Sequence, residues 1–215
     1  CASAQRIEVL HNWLGSLGTS ISSIKLSNTP LKNRKIFIYT GNMGVAQGAG
    51  IFLELAKALI EKNDIGFLFV GRGTEVDKLK KIATDNLLQN VLFFDEVPPQ
   101  ELESIYQQCI VGLLSLDERH LSHNVPGKFL SYMRAGLPVL AVVNAGNDLI
   151  NLINEKQVGK ALAIEMRIRA NNNALMRFLN RRKRRCVSAF RKARRVNIHR
   201  QHFRARLECR RNIIE

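Results

Sequence analysis

Lys35-Ile36-Phe37-Ile38-Tyr39-Thr40, running directly into Gly41-Asn42-Met43-Gly44-Val45-Ala46-Gln47-Gly48, decides how this chain folds. The five residues after Lys35 are aliphatic, aromatic or β-branched, and the run reads as a buried strand. The glycines that follow read as a turn, and 47–61 as a helix. In that helix Ile51, Leu55, Ala58 and Leu59 recur on one apolar face, with Glu54, Lys57 and Glu61 directed elsewhere. Such a turn leaves backbone N–H groups without partners at the start of a helix, where the dipole favours an anion such as phosphate. Gly41, Asn42, Gly44, Gln47 and Gly48 are therefore the first candidate ligand residues.

Outward from this stretch, apolar runs at 66–70, 91–94, 110–114 and 138–142 are expected strands. The patterns at 74–88, 100–107, 128–135 and 148–155 are expected helices. Strands alternating with helices imply right-handed crossovers and a parallel sheet covered on both faces. The expected fold is a doubly wound, Rossmann-like α/β domain over 35–160, whose ligands bind beyond the carboxyl ends of the strands. Residues 1–34 hold His11-Asn12-Trp13 and then a Gly, Ser and Thr-rich stretch reaching Pro30, the composition of a linker or loose arm.

The 215 residues, 46% hydrophobic, suffice for a real core. The net charge of +15 is not spread evenly: residues 1–165 hold 16 Lys+Arg against 16 Asp+Glu, and residues 166–215 hold 17 against 2. An Arg-rich tail over 161–215, with Arg181-Arg182-Lys183-Arg184-Arg185, thus carries the basicity. It reads as an arm for phosphate-rich partners, as a basic segment lying on an anionic membrane surface, or as a frame-shifted, non-native stretch. Cys1, Cys109, Cys186 and Cys209 lack the close spacings of a zinc or redox motif, which fits a reducing compartment, with Cys109 packed as a small hydrophobe. No apolar run reaches bilayer length and no signal pattern opens the chain, so a soluble, cytoplasmic protein is expected. The start at Cys1 without Met fits a piece of something longer.

Taken singly, the glycine motifs say little. Gly-x-x-Gly-x-x-x-Gly at 41–48 is neither the dinucleotide fingerprint nor the P-loop, and Gly71-Arg72-Gly73 has Val76 where a third glycine would stand. Each of these glycines reads equally as a tight turn. Lys128 reads also as a surface lysine, His120 and His123 as loop residues, and Tyr132 and Met133 as core. Asp117 and Glu118 are adjacent on an extended segment and point apart, so they do not make an acid/base pair.

The order of these features is more specific. The turn at 41–48 is followed by Val70-Gly71-Arg72-Gly73, Asp95-Glu96-Val97-Pro98, Leu116–Pro126 with Lys128, and then Tyr132-Met133-Arg134-Ala135-Gly136-Leu137-Pro138-Val139-Leu140-Ala141. Over roughly residues 8–160 the series resembles the C-terminal, donor-binding half of the two-domain (GT-B) retaining glycosyltransferases of the family-4 type, of bacterial polysaccharide assembly. Even His11-Asn12-Trp13 looks like the segment leading out of that family's N-terminal half.

The resemblance implies that Gly41, Asn42, Gly44, Gln47 and Gly48 approach the donor diphosphate, and that Gly71 and Gly73 lie near the nucleotide. It implies further that the Val97 backbone meets the base, that Ser122, His123 and Asn124 face the sugar and diphosphate, and that Lys128 is the catalytic cation. Family members commonly carry basic residues where Asn42 and Gln47 stand, and glutamates where His123 and Ser131 stand. Neutralisation of the leaving phosphate would then fall to the helix start, through N–H groups near Gly44 and Gln47, and to Lys128.

No Asp-x-Asp pair offers a metal site, so no metal and no cofactor are expected, only a nucleoside-diphosphate sugar as donor, UDP-linked by resemblance. The acceptor glycan or lipid-linked sugar would be placed by an N-terminal half that the chain lacks, leaving the piece able to bind but not to transfer. Localisation would be cytoplasmic, or peripheral at the inner face of the membrane through the tail. Two other classes stay open: a non-enzymatic nucleotide-binding or basic interaction module, and a dinucleotide-dependent oxidoreductase, the latter without a fingerprint after the first strand.

Overall fold

The structure, a computed structural model, describes residues 20–119 and 125–163. Strands β1 (Lys35–Thr40), β2 (Ile65–Val70), β3 (Val91–Phe94), β4 (Val111–Ser115), β5 (Val139–Val143) and β6 (Gly159–Ala163) form one sheet in the order β3-β2-β1-β4-β5-β6, and every pairing is parallel. Helices α1 (Ile51–Ala58), α2 (Val76–Asp85), α3 (Leu102–Tyr106), α4 (Gly127–Arg134) and α5 (Asp148–Glu155) connect them. This is the doubly wound α/β fold expected from the sequence.

The period of two in the strands divides the core by chemistry. Phe37 and Tyr39 of β1 and Phe67 and Phe69 of β2 face α1 and α2, while Ile36, Ile38, Leu68 and Val70 face α3, α4 and α5. Because the register pairs Phe37 with Phe67, Tyr39 with Phe69, and Phe69 with Phe93, the aromatic face stacks into a ladder with centroids 5.3, 5.9 and 4.9 Å apart. Offset ring pairs of this kind contribute about 0.5–1.5 kcal/mol each beyond their area. The ladder holds the Tyr39 ring at the carboxyl end of β1.

Three sequence expectations are corrected by the packing. Residues 20–34 are not a loose arm. Ser22, Ile24, Leu26 and Leu31 are buried, and the segment is stitched to α3 and the residues flanking it by Ser23 N–H and Oγ to Glu101, Ser22 N–H to Ser104 Oγ and Leu26 N–H to Gln108 Oε1. The buried face of α1 is Phe52, Leu53, Ala56 and Leu59, rotated from the expected one. With apolar residues almost all round that helix, periodicity alone could not choose the face. The sheet also extends through β6 to Ala163, beyond the boundary at 160, so the first residues assigned to the tail are strand. The segment around Trp13 and the Arg-rich run lie outside the described residues.

The switch point of the sheet falls between β1 and β4, which pair only at Phe37 with Val111 and Ile38 with Gly112. Beyond these residues the gap is bridged by Tyr132 of α4. Its buried hydroxyl accepts from Thr40 N–H at 3.1 Å and from Thr40 Oγ1 at 3.2 Å, and its proton is shared between the carbonyls of Leu113 at 3.1 Å and Ile38 at 3.2 Å. Tyr106 extends the chain, its hydroxyl 2.9 Å from Thr40 Oγ1 and its ring set edge-on to Tyr132. Gly112 makes the room: a Cβ there would lie 2.5 Å from the Tyr132 ring. Burial raises both phenols, Tyr106 to about 12, so the network stays protonated through the neutral range.

Candidate functional site

The glycine turn after β1 is held from three sides. Gly41 N–H donates to the Val70 carbonyl at the end of β2 at 2.9 Å, and Met43 N–H to the Arg72 carbonyl in the loop that follows at 2.7 Å. On the other flank Asp117 N–H donates to the Ala46 carbonyl at 2.9 Å and Ser115 Oγ to the Gln47 carbonyl at 2.6 Å. From within, the Tyr39 hydroxyl donates to the Asn42 carbonyl at 2.9 Å.

The glycines have different reasons. At Gly71 a Cβ would sit 2.1 Å from the Gly41 carbonyl oxygen, and at Gly73 2.5 Å from the Met43 carbonyl, so both are required by loop-on-loop packing. At Gly41, with φ of +92°, a Cβ would meet nothing within 4 Å, so the turn is open to solvent on that side.

The turn does not open α1 directly, which corrects the expected cradle. Val45–Gln47 is a short 3₁₀ turn ended by Gly48 in the left-handed region (φ 55°), and α1 begins only at Ile51. The Gly44 and Gln47 N–H groups, expected to be free, are taken: Gly44 N–H by Gln47 Oε1 at 3.1 Å, and Gln47 N–H by the Gly44 carbonyl at 3.1 Å. Asn42 Nδ2 also donates to Gln47 Oε1, at 3.0 Å. The two neutral amides thus close on each other across the turn.

Lys128, at the start of α4, reaches across the carboxyl end of β1. Its Nζ is buried, has no hydrogen-bond partner among the described residues and stands 3.6 Å from the centroid of the Tyr39 ring. Burial pushes the ammonium down to about 7. The ring face works the other way, by about 1–2 kcal/mol for a desolvated contact, and the desolvation is the larger effect. The result, among the described residues, is a buried amine without a counter-ion, only partly charged at neutral pH, beside a solvent-facing glycine turn.

The remaining expected residues are more scattered. Val97 is half-buried against the cluster that includes Phe129 and Tyr132. Ser131, one turn along α4 from Lys128, donates its hydroxyl to the Gly127 carbonyl at 3.3 Å. Ser122, His123 and Asn124 lie outside the described residues. Tyr39 was missed by sequence reasoning, although a tyrosine one residue from the end of an otherwise apolar strand is a signal. Arg119 was missed too: paired with Asp117 (Nε to Oδ1, 2.7 Å), it lines a cleft of about 370 Å³ with Gly44, Val45, Gly48, Ile51 and Lys78. Among the described residues no group of three or more His, Cys, Asp or Glu could hold a metal, and no helix is long and apolar enough to cross a membrane.

A parallel sheet in this order, with a glycine turn and a buried lysine at its carboxyl rim, is a doubly wound α/β domain with its candidate ligand site at the switch point. Comparison with known proteins agrees. The family described as glycosyl transferases group 1 matches residues 34–180, more than half of the chain, and the chain belongs to that family. Its fold is that of the C-terminal half of a GT-B glycosyltransferase.

A curated relative, the probable glycosyltransferase WbjE of Pseudomonas aeruginosa, is 31% identical over 128 residues, 60% of this chain and 32% of WbjE. The chain therefore spans about a third of that relative. Among solved structures, HepE of Anabaena in complex with UDP superposes with a TM-score of 0.59 at 15% identity, over 77% of this chain and 44% of that one. A variant of S. aureus TarM, solved with fondaparinux, α-GlcNAc-glycerol and UDP, gives 0.56 at 17%, over 86% and 34%. WaaG, a glycosyltransferase of lipopolysaccharide biosynthesis, gives 0.51 at 19%, over 61% and 34%. At these identities the structural likeness speaks for the fold alone.

Proposed function

We propose that this chain is the donor-binding part of a retaining glycosyltransferase that uses a nucleoside-diphosphate sugar, UDP-linked, in cell-envelope polysaccharide or glycolipid synthesis. The observation that carries this reading is Lys128: an amine buried without a counter-ion among the described residues, at the carboxyl rim of β1, gains its charge and its partner when an anion arrives from outside. A diphosphate supplies that anion, and cleavage of the sugar–phosphate bond develops further negative charge on the leaving oxygen, which a preorganised cation stabilises. The solved HepE and TarM complexes hold UDP, which favours uridine as the nucleoside.

No metal takes part in this reading, and binding should be unchanged by chelators. The acceptor glycan or lipid-linked sugar is positioned by an N-terminal half outside this chain, so the chain alone binds the donor without transferring it. The protein works in the cytoplasm or at the inner face of the membrane. Calorimetric titration with UDP, UDP-GlcNAc and NAD tests it. UDP is expected to bind, and Lys128→Ala to weaken it about tenfold or more, the worth of a hydrogen bond to a charged group. Preference for NAD would make the chain a dinucleotide enzyme, and silence toward every nucleotide a non-enzymatic module.

A further inference from the structure

The amide clasp of the glycine turn has a direction. Gly44 N–H is a donor without ambiguity, so the Gln47 atom facing it is the oxygen, and the Asn42 atom facing that same oxygen is the nitrogen. One acceptor therefore sits where a backbone donor and a side-chain donor converge. The turn is shaped for this: a Cβ at Gly44 would lie 3.0 Å from Gln47 Oε1 and 3.3 Å from Asn42 Nδ2.

The clasp is made of neutral groups on an exposed turn, where an ionised oxygen would accept from the same donors more strongly. Asn42 is also tied to the charge of the site. Its carbonyl is held by the hydroxyl of Tyr39, whose ring lies under the unpartnered Lys128 Nζ. The lysine amine is in place, and the oxygen that the turn's donors hold is an uncharged one.

We propose that the Gln47 carboxamide is a placeholder for the donor: its oxygen occupies the position of a phosphate oxygen and swings out when the diphosphate binds, releasing Gly44 N–H and Asn42 Nδ2 to the ligand. This rests on the donor-site reading above. Asn42 then contacts the anion, whereas the contacts Gln47 makes in the free chain oppose binding. The two amides, alike in charge and both lining the turn, have opposite effects on affinity.

The test is titration of the 215-residue chain and its variants with inorganic pyrophosphate and with UDP, with thermal unfolding followed by circular dichroism to confirm the fold. Gln47→Ala is expected to bind both ligands about three- to tenfold more tightly, since no competing acceptor has to leave, and Asn42→Ala to bind them more weakly by a similar factor. Gln47→Met keeps the length of the side chain without the acceptor and is expected to tighten binding likewise, which guards against collapse of the turn in the alanine variant. Folded Gln47 variants that bind like the unaltered chain or more weakly would overturn the placeholder while leaving the donor site intact. Tightening confined to UDP would also overturn it, because the gain would then lie away from the phosphates. Absence of UDP binding by every form would overturn the donor reading and the placeholder together.

Discussion

Tyr132→Phe is expected to lower the free energy of unfolding by about 3 kcal/mol, through a single oxygen. That oxygen is the acceptor for Thr40 N–H and Thr40 Oγ1 and the donor shared by the Ile38 and Leu113 carbonyls, at the place where β1 and β4 stop pairing. Phenylalanine preserves the ring packing against Gly112 and Tyr106 but removes the partner of several buried polar groups, at about 1–3 kcal/mol for each one orphaned. Urea unfolding at pH 7 measures the change. Tyr106→Phe, which removes one contact at the periphery of the network, should cost about 1 kcal/mol. Because Thr40 leads directly into Gly41, loosening of the gap should also weaken nucleotide binding. A loss below that of Tyr106→Phe would show that the gap is held by packing alone.

Lys128→Met is expected to stabilise the chain at neutral and acid pH and to leave it little changed near pH 10. The lysine falls to about 7 in the folded chain from an ordinary value of 10.5, so between these values the unfolded chain holds the extra proton. Stability therefore rises with pH across that window, and the cost of the buried ammonium is fully present below about 7. The difference between variant and unaltered chain should reach on the order of 5 kcal/mol at pH 6 and fall to about 1 kcal/mol or less by pH 10. Above pH 10 the buried tyrosines act in the opposite sense, since their raised values mean that stability is lost once the unfolded phenols ionise. Unfolding at pH 6, 8 and 9.5 keeps clear of them. A variant equally stable at all three relative to the unaltered chain would mean that Lys128 is hydrated. Stability gained by losing a residue at a rim position is the mark of a group retained for binding rather than for the fold.

Local chemistry decided how much of this was legible from sequence. β1 and β3 were read to the residue because each is a short run of β-branched, aromatic and aliphatic residues, flanked in β1 by Lys35 and Thr40, between polar or glycine breaks. β6 was not, because Gly159-Lys160-Ala161-Leu162-Ala163 has no β-branched or aromatic residue and becomes a strand only by pairing with β5. The series of strand ends pointed to the family. Lys128 entered through the resemblance, yet its burial and its seat on Tyr39 are tertiary facts. Gly71 and Gly73 were legible as glycines, and only the approach of Gly41 and Met43 shows that backbone demands them. Closure of Asn42 on Gln47 depends on a 3₁₀ turn interrupted by Gly48, whereas the helical pattern had run on unbroken from Gln47.

The central claim is that the buried Lys128 amine takes up its charge with the diphosphate. It is tested most directly by calorimetric titration of UDP into the chain at pH 8, in two buffers of different ionisation enthalpy. Since burial holds the free amine near 7 and a neighbouring phosphate would favour its charged form, binding should take up about one proton per UDP, and Lys128→Met should abolish the uptake. UDP binding with no proton taken up, or with the same uptake in the methionine variant, would contradict the account.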